Sequence, residues 1–178
     1  RFNKWKDPLG VMDVFKKVKS EVDCRLILCG NMAADDPEGM EIYQKVRRQV
    51  SKEIKSGDVM LITIENNILV NVLQRVSDVI VQKSKREGFG LTVTEALWKG
   101  TPVVASNKGG IPLQVINDVT GYSLDPEDND TFADKIIELF NDREKAVKFG
   151  EKGREHVREN FLMTRLLLDY FHLLDDLF

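Results

Sequence analysis

Short apolar runs alternate with amphipathic helical patterns along most of this chain, and this alternation limits the possible folds more than any other feature. The strand-like runs are residues 24–29, 58–64, 78–82, 101–106 and 120–124. Helical spacing falls at about residues 7–22, 38–54, 68–76, 91–99, 111–116, 129–140, 142–159 and 162–177. Continuous apolar runs of this length are typical of parallel strands that are covered on both faces. We therefore predict an α/β fold with a doubly wound parallel sheet and helices on both faces.

Composition narrows the class of protein. The 178 residues are 42% hydrophobic and 31% charged, and no Pro/Gly/Ser-rich linker divides them, so we predict one globular domain over residues 1–178. The formal net charge of −3 provides no basic stripe for binding nucleic acid. No apolar run has the length of a membrane span, and the first residues do not resemble a signal peptide, so we expect a cytoplasmic protein. Cys24 and Cys29 are expected to point to opposite faces of a strand as buried free thiols.

The two ends of the predicted sheet architecture look incomplete. A doubly wound sheet normally opens with a strand, but here a short loop leads directly into the first helix. The last helical pattern, residues 164–178, is apolar around more of its circumference than one buried stripe requires. We expect more chain or a partner to pack at these places, including a second copy of the chain against the terminal helix.

The segment REGFGLTVTEALWKG, residues 86–100, carries the main chemical signal. It follows the strand that ends at Gln82, so it lies at the carboxyl end of a parallel strand, where open α/β sheets bind their ligands. Gly88 and Gly90 allow the backbone to turn and to approach a ligand closely. The N–H groups of residues 91–93 should point out of the following helix, where they can bind an anion or a hydroxyl oxygen.

Glu87 and Glu95 flank this turn, with seven residues between them. A carboxylate offers two acceptor oxygens that suit the neighbouring hydroxyl groups of a sugar. Two carboxylates would repel a diphosphate, so we place one on a hexose and one on a ribose, with the phosphates between them at the helix N-terminus. Alternatively, Glu87 is a solvated loop residue and Glu95 an exposed helical residue that interacts favourably with the helix dipole.

A second cluster is basic. Arg1 and Lys6 are five residues apart in the loop before Asp7 and Pro8, which are expected to begin the first helix as N-cap and first residue. Two cations beside a helix N-terminus could neutralise a leaving diphosphate without a metal. The alternative is a solvated basic loop. The turn KGGIP, residues 108–112, could add backbone donors, and Trp5 could either stack on a ligand or pack.

Other candidate sites have simpler explanations. Asp35, Asp36 and the acidic run 125–130 could suggest a metal, but their positions beside a proline and before a helix favour turn and capping roles. His156 and His172 are isolated on helical patterns, so no metal site is predicted. Neither a G-x-G-x-x-G fingerprint after the first strand nor a P-loop is present.

Taken together, these segments resemble the C-terminal, donor-binding half of a retaining glycosyltransferase of the GT-B fold, family 4. The resemblance rests on the pair Arg1 and Lys6, the run DVIVQKSKREGFGLTVTEALWKGTPVVAS, the GGIP turn, the TGYSL segment and the terminal helices. Within the family, it is closest to the trehalose-synthesising glycosyltransferases and the trehalose phosphorylases.

The resemblance implies specific roles. Arg1 and Lys6 would bind the donor phosphates and stabilise the departing diphosphate, and Glu87 would contact the transferred sugar. Glu95 would hold the ribose diol. The donor-binding positions expected are Gly30, Gly88, Phe89, Gly90, Leu91, Thr92 and Glu95. The donor substrate would be ADP-glucose or UDP-glucose, with no cofactor and no metal.

The function implied is transfer of glucose from a nucleoside-diphosphate glucose to a small sugar acceptor, with trehalose synthesis favoured. Alternatives are phosphorolysis of trehalose, or a non-catalytic module that keeps the fold. Leu113 stands where the family usually has a glutamate, followed by Gln114, and the apolar stretch 62–76 does not indicate which nucleotide is bound. The acceptor-binding N-terminal domain lies outside these residues, so we expect the chain alone to bind donor but to catalyse poorly.

Overall fold

The computed structural model describes residues 2–31 and 37–177. The strands are β1 Leu26–Cys29, β2 Val59–Ile62, β3 Ile80–Gln82, β4 Val103–Ser106 and β5 Gly121–Leu124. The helices are α1 Pro8–Glu21, α2 Pro37–Gln49, α3 Ser51–Ser56, α4 Asn67–Val76, α5 Leu91–Trp98, α6 Ile111–Gln114, α7 Asn129–Asn141, α8 Arg143–Asn160 and α9 Met163–Asp175. The single helix expected at 38–54 is two helices, because Val50 leaves helical geometry at φ −113° and ψ 28°. Strands and helices otherwise follow the predicted order.

All strand pairs in the described ranges are parallel, as predicted. They form a two-stranded sheet, β1–β2, and a three-stranded sheet, β3–β4–β5. Leu26 pairs with Val59 in the first sheet, while Ile80 pairs with Val103 and Val103 with Gly121 in the second. A cleft of about 810 Å³ separates the two sheets, and residues of both β1 and β3 line it.

The three-stranded sheet is packed on both faces. On one face, Val104 belongs to a buried cluster with Val14 of α1 and Phe132 of α7. On the other face, Val103 packs with Leu97 of α5 and Val157 of α8. All four residues of β4 are buried, as expected for a central strand covered on both sides.

The two-stranded sheet is less covered, which corrects the prediction of a fully buried strand at 24–29. Helices α1 and α2 cover one of its faces through Phe15, Val46 and other apolar residues. Along β1, half-buried and exposed residues alternate, and Ile27 is 39% exposed. The Cys24 thiol is half-buried, but Cys29 is exposed rather than buried, because it lies on the open face.

The last helix, α9, carries apolar side chains that remain exposed. They are Leu166, Leu167, Leu168, Tyr170, Phe171, Leu173 and Leu174. The expected association through this helix stays a prediction. None of the helices in the described ranges combines the length and the apolar character of a bilayer-spanning segment.

Candidate donor-binding site

The loop that carries Lys6 is fixed to the carboxyl end of β3. Residues 4–6 form a 3₁₀ turn that is capped by Asn3, whose side-chain oxygen accepts from the Lys6 N–H at 3.0 Å. The Trp5 carbonyl accepts a hydrogen bond from the Lys85 N–H at 2.7 Å. The backbone of the loop is thus tied to the segment that leads from β3 to Glu87.

Asp7 secures the same loop in a way that the sequence did not indicate. It occupies the N-cap position of α1 as predicted, but its carboxylate makes no capping hydrogen bond. Instead it forms an ion pair with Lys83, whose side chain is 1% exposed and also donates to the Pro126 carbonyl at 2.5 Å. A buried ammonium needs such partners, because its desolvation is otherwise costly.

Lys6, which lines the cleft, forms an ion pair with Glu87. The Glu87 Oε2 atom also accepts from Gln82 Nε2 at 3.0 Å and from Ser84 Oγ at 3.3 Å, while Oε1 accepts from the Gly88 N–H at 3.1 Å. Partial burial works against ionisation, but Lys6, Gln82 and Gly88 outweigh it and lower the pKa of Glu87. Glu87 is therefore an anchored carboxylate rather than a solvated loop residue.

The turn from Glu87 to Gly90 is clamped by the glycine pair that follows β4. Gly109 has φ +59°, and a Cβ there would lie 2.1 Å from the Glu87 carbonyl oxygen. The Gly110 N–H donates to the Gly88 carbonyl at 2.7 Å. The expectation that this turn adds ligand donors therefore fails for Gly110, because its N–H holds the glutamate loop in place.

Gln114 completes this support, and sequence reasoning missed its role. It is fully buried, and its amide nitrogen donates to the Phe89 carbonyl and, at 3.3 Å, to the Gly110 carbonyl. Its oxygen accepts from Thr94 Oγ1 at 2.6 Å. Leu113, by contrast, is 67% exposed. Gln114, which follows the Gly-Gly-Ile-Pro turn and Leu113, thus holds the loop that contains Phe89 in place through hydrogen bonds.

The N-terminus of α5 offers fewer free donors than predicted. Gly90 takes a left-handed conformation, φ +88°, immediately before the helix. The Val93 N–H donates to the Gly90 carbonyl at 2.8 Å, so it is not free, which corrects the prediction for residues 91–93. Among the described residues, the N–H groups of Leu91 and Thr92 have no partner, and Thr92 lines the cleft.

Glu95 is exposed on α5 and is oriented by a buried amide. Its Oε2 atom accepts from Gln74 Nε2 at 2.9 Å. Gln74 is 4% exposed, and its oxygen accepts from Lys99 Nζ at 2.5 Å. Because only Oε2 has a partner within the described ranges, Oε1 is available to a ligand hydroxyl.

The cleft brings several predicted positions to one place. Lys6, Gly30 and Thr92 all line it, together with Gln74 and Gln82, the partners of the two glutamates. Gly30 donates its N–H to the Ile62 carbonyl at 2.9 Å. Arg1, Asp35 and Asp36 lie outside the described residues.

Two other expectations are resolved by contacts. The Trp5 ring lies under the Arg86 guanidinium at 4.0 Å and near Lys4 at 5.0 Å, so it packs against basic side chains. Asp128 caps α7 through the Thr131 N–H at 2.9 Å, as the capping interpretation predicted.

The sequence analysis did not select Gln82 and Gln74, the hydrogen-bond partners of Glu87 and Glu95. Both could have been found as polar residues that end or interrupt an apolar run.

Comparison with known proteins identifies the family of the chain. The sequence profile described as "Glycosyl transferases group 1" matches residues 1–156. A trehalose synthase of Rubrobacter xylanophilus is 45% identical over 97% of this chain, and a trehalose phosphorylase of Pleurotus pulmonarius is 35% identical over 76% of it. The chain spans 41% and 19% of these two relatives, respectively.

A sucrose-phosphate synthase structure from Thermosynechococcus elongatus superposes with a TM-score of 0.85 at 26% identity, covering 99% of this chain and 43% of that one. The structural neighbours have the GT-B fold, and the chain corresponds to the C-terminal part of its longer relatives. The chain belongs to the group 1 glycosyltransferases.

Proposed function

We propose that this chain is the donor-binding part of a retaining glycosyltransferase that transfers glucose from ADP-glucose or UDP-glucose to a sugar acceptor, with trehalose formation as the favoured reaction. The observation that carries the proposal is that Lys6, which forms an ion pair with Glu87, lines the same cleft as Thr92, whose N–H has no partner among the described residues. The 45% identity to a trehalose synthase supports the choice of reaction.

The diphosphate of the donor would bind between Lys6 and the start of α5. An ammonium has three N–H donors, and the ion pair with Glu87 uses one of them. The others can bind phosphate oxygens, while the Leu91 and Thr92 N–H groups bind from the helix end. These groups would stabilise the charge that develops on the leaving diphosphate. Arg1 is proposed to add a second cation.

Glu87 would contact the transferred glucose and would not serve as the general base. Its lowered pKa makes it a weak proton acceptor near neutral pH. Its Oε2 atom already accepts three hydrogen bonds, whereas Oε1 has one described partner and can accept a sugar hydroxyl. Transfer with retention would then leave the departing phosphate to take the acceptor proton.

Glu95 would hold the ribose of the nucleotide. The hydrogen bond from Gln74 keeps Oε2 in place, and Oε1 can accept one hydroxyl of the diol. The acceptor sugar would be bound by the other part of the full-length enzyme, so the chain alone should bind donor but transfer glucose slowly or not at all.

Phosphorolysis of trehalose is the second candidate, because the phosphorylase relative shares 35% identity across 76% of the chain. In that reaction inorganic phosphate would occupy the place of the nucleotide diphosphate. Saturation-transfer NMR separates the two candidates. Binding of ADP-glucose or UDP-glucose supports synthesis, whereas binding of glucose 1-phosphate and phosphate alone supports phosphorolysis.

The direct test of the proposed site is calorimetric titration of a Glu95→Gln variant with the nucleotide sugar. Loss of a charge-assisted contact to the diol should weaken binding by about tenfold or more. Glu151→Gln, an exposed change on α8, is the matched control and should bind like the parent chain. Equal affinity of Glu95→Gln and the parent would contradict the proposed ribose contact and favour a non-catalytic module of the same fold.

A further inference from the structure

Glu95 and Lys99 lie one helical turn apart at the C-terminal end of α5, where Lys99 is the C-cap residue. The Lys99 N–H donates to the Glu95 carbonyl at 3.3 Å, as expected for this spacing. A glutamate followed four residues later by a lysine is the order that favours an ion pair on a helix. These two described residues nevertheless form no ion pair, because both side chains bond to Gln74 instead.

The side-chain amide of Gln74 lies between the two charges. Gln74 belongs to α4 and is 4% exposed. Its Nε2 atom donates to Glu95 Oε2 at 2.9 Å, and its Oε1 atom accepts from Lys99 Nζ at 2.5 Å. An amide carries a donor and an acceptor on one neutral group, so it can bond to a carboxylate and an ammonium at the same time. It thus separates two charges that the helix spacing would bring together.

Both the backbone and the orientation of this amide are fixed. The Gln74 carbonyl accepts from Thr101 Oγ1 at 2.5 Å, and Thr101 is 4% exposed. A flipped amide would place its oxygen against the Glu95 carboxylate and its N–H groups against the Lys99 ammonium. Because both contacts would then be repulsive, Gln74 has one favourable orientation, with its donor toward Glu95.

This arrangement determines what remains available on Glu95. Gln74 bonds to Oε2, and Oε1 has no partner among the described residues. An ammonium on the carboxylate would compete with a ligand hydroxyl for its oxygens. It would also offset the negative charge that strengthens a hydrogen bond from such a hydroxyl. Lys99 is kept from doing so as long as its Nζ is bonded to Gln74 Oε1.

We propose that Gln74 is a positioning residue that keeps Lys99 off Glu95 and so leaves Glu95 open to the ribose diol of the donor. The proposal rests on the proposed function for the ribose contact, and it adds the reason why a lysine one turn away does not occupy the glutamate. Gln74 acts through Glu95 and Lys99 and takes no part in the transfer of the sugar.

Calorimetric titration of a double-mutant cycle with the nucleotide sugar tests this role. Gln74→Leu removes both amide bonds and frees Lys99 to reach Glu95, so the affinity should fall by about three- to tenfold. Adding Lys99→Met should recover at least about threefold of this loss, because no ammonium then remains to compete. In the parent background, Lys99→Met should leave the affinity unchanged or weaken it. The effect of removing Lys99 should therefore change sign with Gln74.

Two controls separate this role from a loss of packing. Lys152→Met, at an exposed position on α8, should give no recovery when added to Gln74→Leu. The same cycle is measured with the dideoxyribose form of the nucleotide sugar, which lacks the diol. Recovery should be absent with that donor, whereas a general disturbance of the fold would affect both donors alike. Gln74→Met is a second apolar variant in case Gln74→Leu does not fold.

A double variant that binds no more tightly than Gln74→Leu would overturn the proposal, as would equal recovery with both donors. Failure of the proposed ribose contact is recognised separately, because Glu95→Gln would then bind like the parent chain. In that case the crystal structure of Gln74→Leu decides whether Gln74 separates the charges. Lys99 Nζ within ion-pair distance of the Glu95 carboxylate would support that separation, and Lys99 turned to solvent would overturn it.

Discussion

The three-stranded sheet β3–β4–β5 and the two-stranded sheet β1–β2 are built from similar apolar runs but bury them to different extents. Every residue of β4 is buried, whereas Ile27 of β1 and Met60 of β2 are 39% and 54% exposed. The three-stranded sheet is the well-packed one. Gln82 ends its strand β3, Glu87 lies in the loop after that strand, and α5 covers one face of the sheet. Lys6 is tied to this half of the molecule through its ion pair with Glu87. The proposed donor site is thus supported mainly by the well-packed half, so its integrity should depend on that half more than on β1–β2.

The largest effect should come from removing the buried cation that joins the Lys6 loop to the well-packed sheet. Lys83→Met leaves Asp7 without its main partner and should reduce the free energy of unfolding by about 3–5 kcal/mol. Urea denaturation measures this loss. Lys85→Met is the control, because Lys85 is 38% exposed and lies 3.8 Å from Asp7, and it should cost about 1 kcal/mol or less. Similar losses for both variants would contradict the assignment of Lys83 as the anchor.

A pair of truncations compares the two sheets directly. Leu97→Ala removes a fully buried side chain from α5, which covers the well-packed sheet, and should cost about 2–4 kcal/mol. Met60→Ala removes an exposed side chain from β2 and should change the free energy of unfolding by about 0.5 kcal/mol or less. Comparable costs in thermal or urea unfolding would show that the two halves are equally stabilised by packing.

A smaller effect should appear at acid pH. Burial works against ionisation of Glu138, but hydrogen bonds from Lys135, Lys145 and Tyr122 outweigh it and lower its pKa to about 2. An unfolded glutamate titrates near 4.3, so the stabilisation is fully present above about pH 5 and is lost as the pH falls toward 2. Glu138 is 32% exposed, so screening should limit the loss to roughly 1 kcal/mol.

The measurement is the free energy of unfolding at pH 7 and at pH 3 for the parent and for Glu138→Gln. The variant should be less stable than the parent at pH 7 and closer to it at pH 3. Glu151→Gln, on the exposed surface of α8, should keep the pH dependence of the parent. An unchanged pH dependence in Glu138→Gln would show that the hydrogen bonds of Glu138 with Lys135, Lys145 and Tyr122 do not contribute to the stability of the fold.

The order of strands and helices was predictable because apolar run length and helical spacing report local geometry. The extent of burial was not: the runs at 24–29 and 58–64 resemble buried strands, yet Ile27 and Met60 are exposed. Burial depends on which elements cover each face, and the residues of a strand do not contain that information. The break at Val50 was missed because the apolar spacing continues through it.

For the candidate site, local sequence signals predict the turn, but they do not predict its long-range contacts. A glycine turn after a strand has a recognisable pattern, so Glu87, Gly90 and Glu95 could be selected as candidate positions from the sequence. The ion pair between Asp7 and Lys83 joins residues 76 positions apart, and no sequence spacing indicates it. The Val93 N–H was expected to be free, but the helix tightens at its start and uses that donor within the first turn.

Binding of donor phosphates between Lys6 and the start of α5 can be followed through the backbone amide resonances during titration with UDP-glucose or ADP-glucose. We predict that the Leu91 and Thr92 amides shift most, that Gly88 shifts with them, and that the amides of α8 stay unchanged. Saturable binding that leaves the Leu91 and Thr92 amides unshifted would rule out phosphate binding at the start of α5.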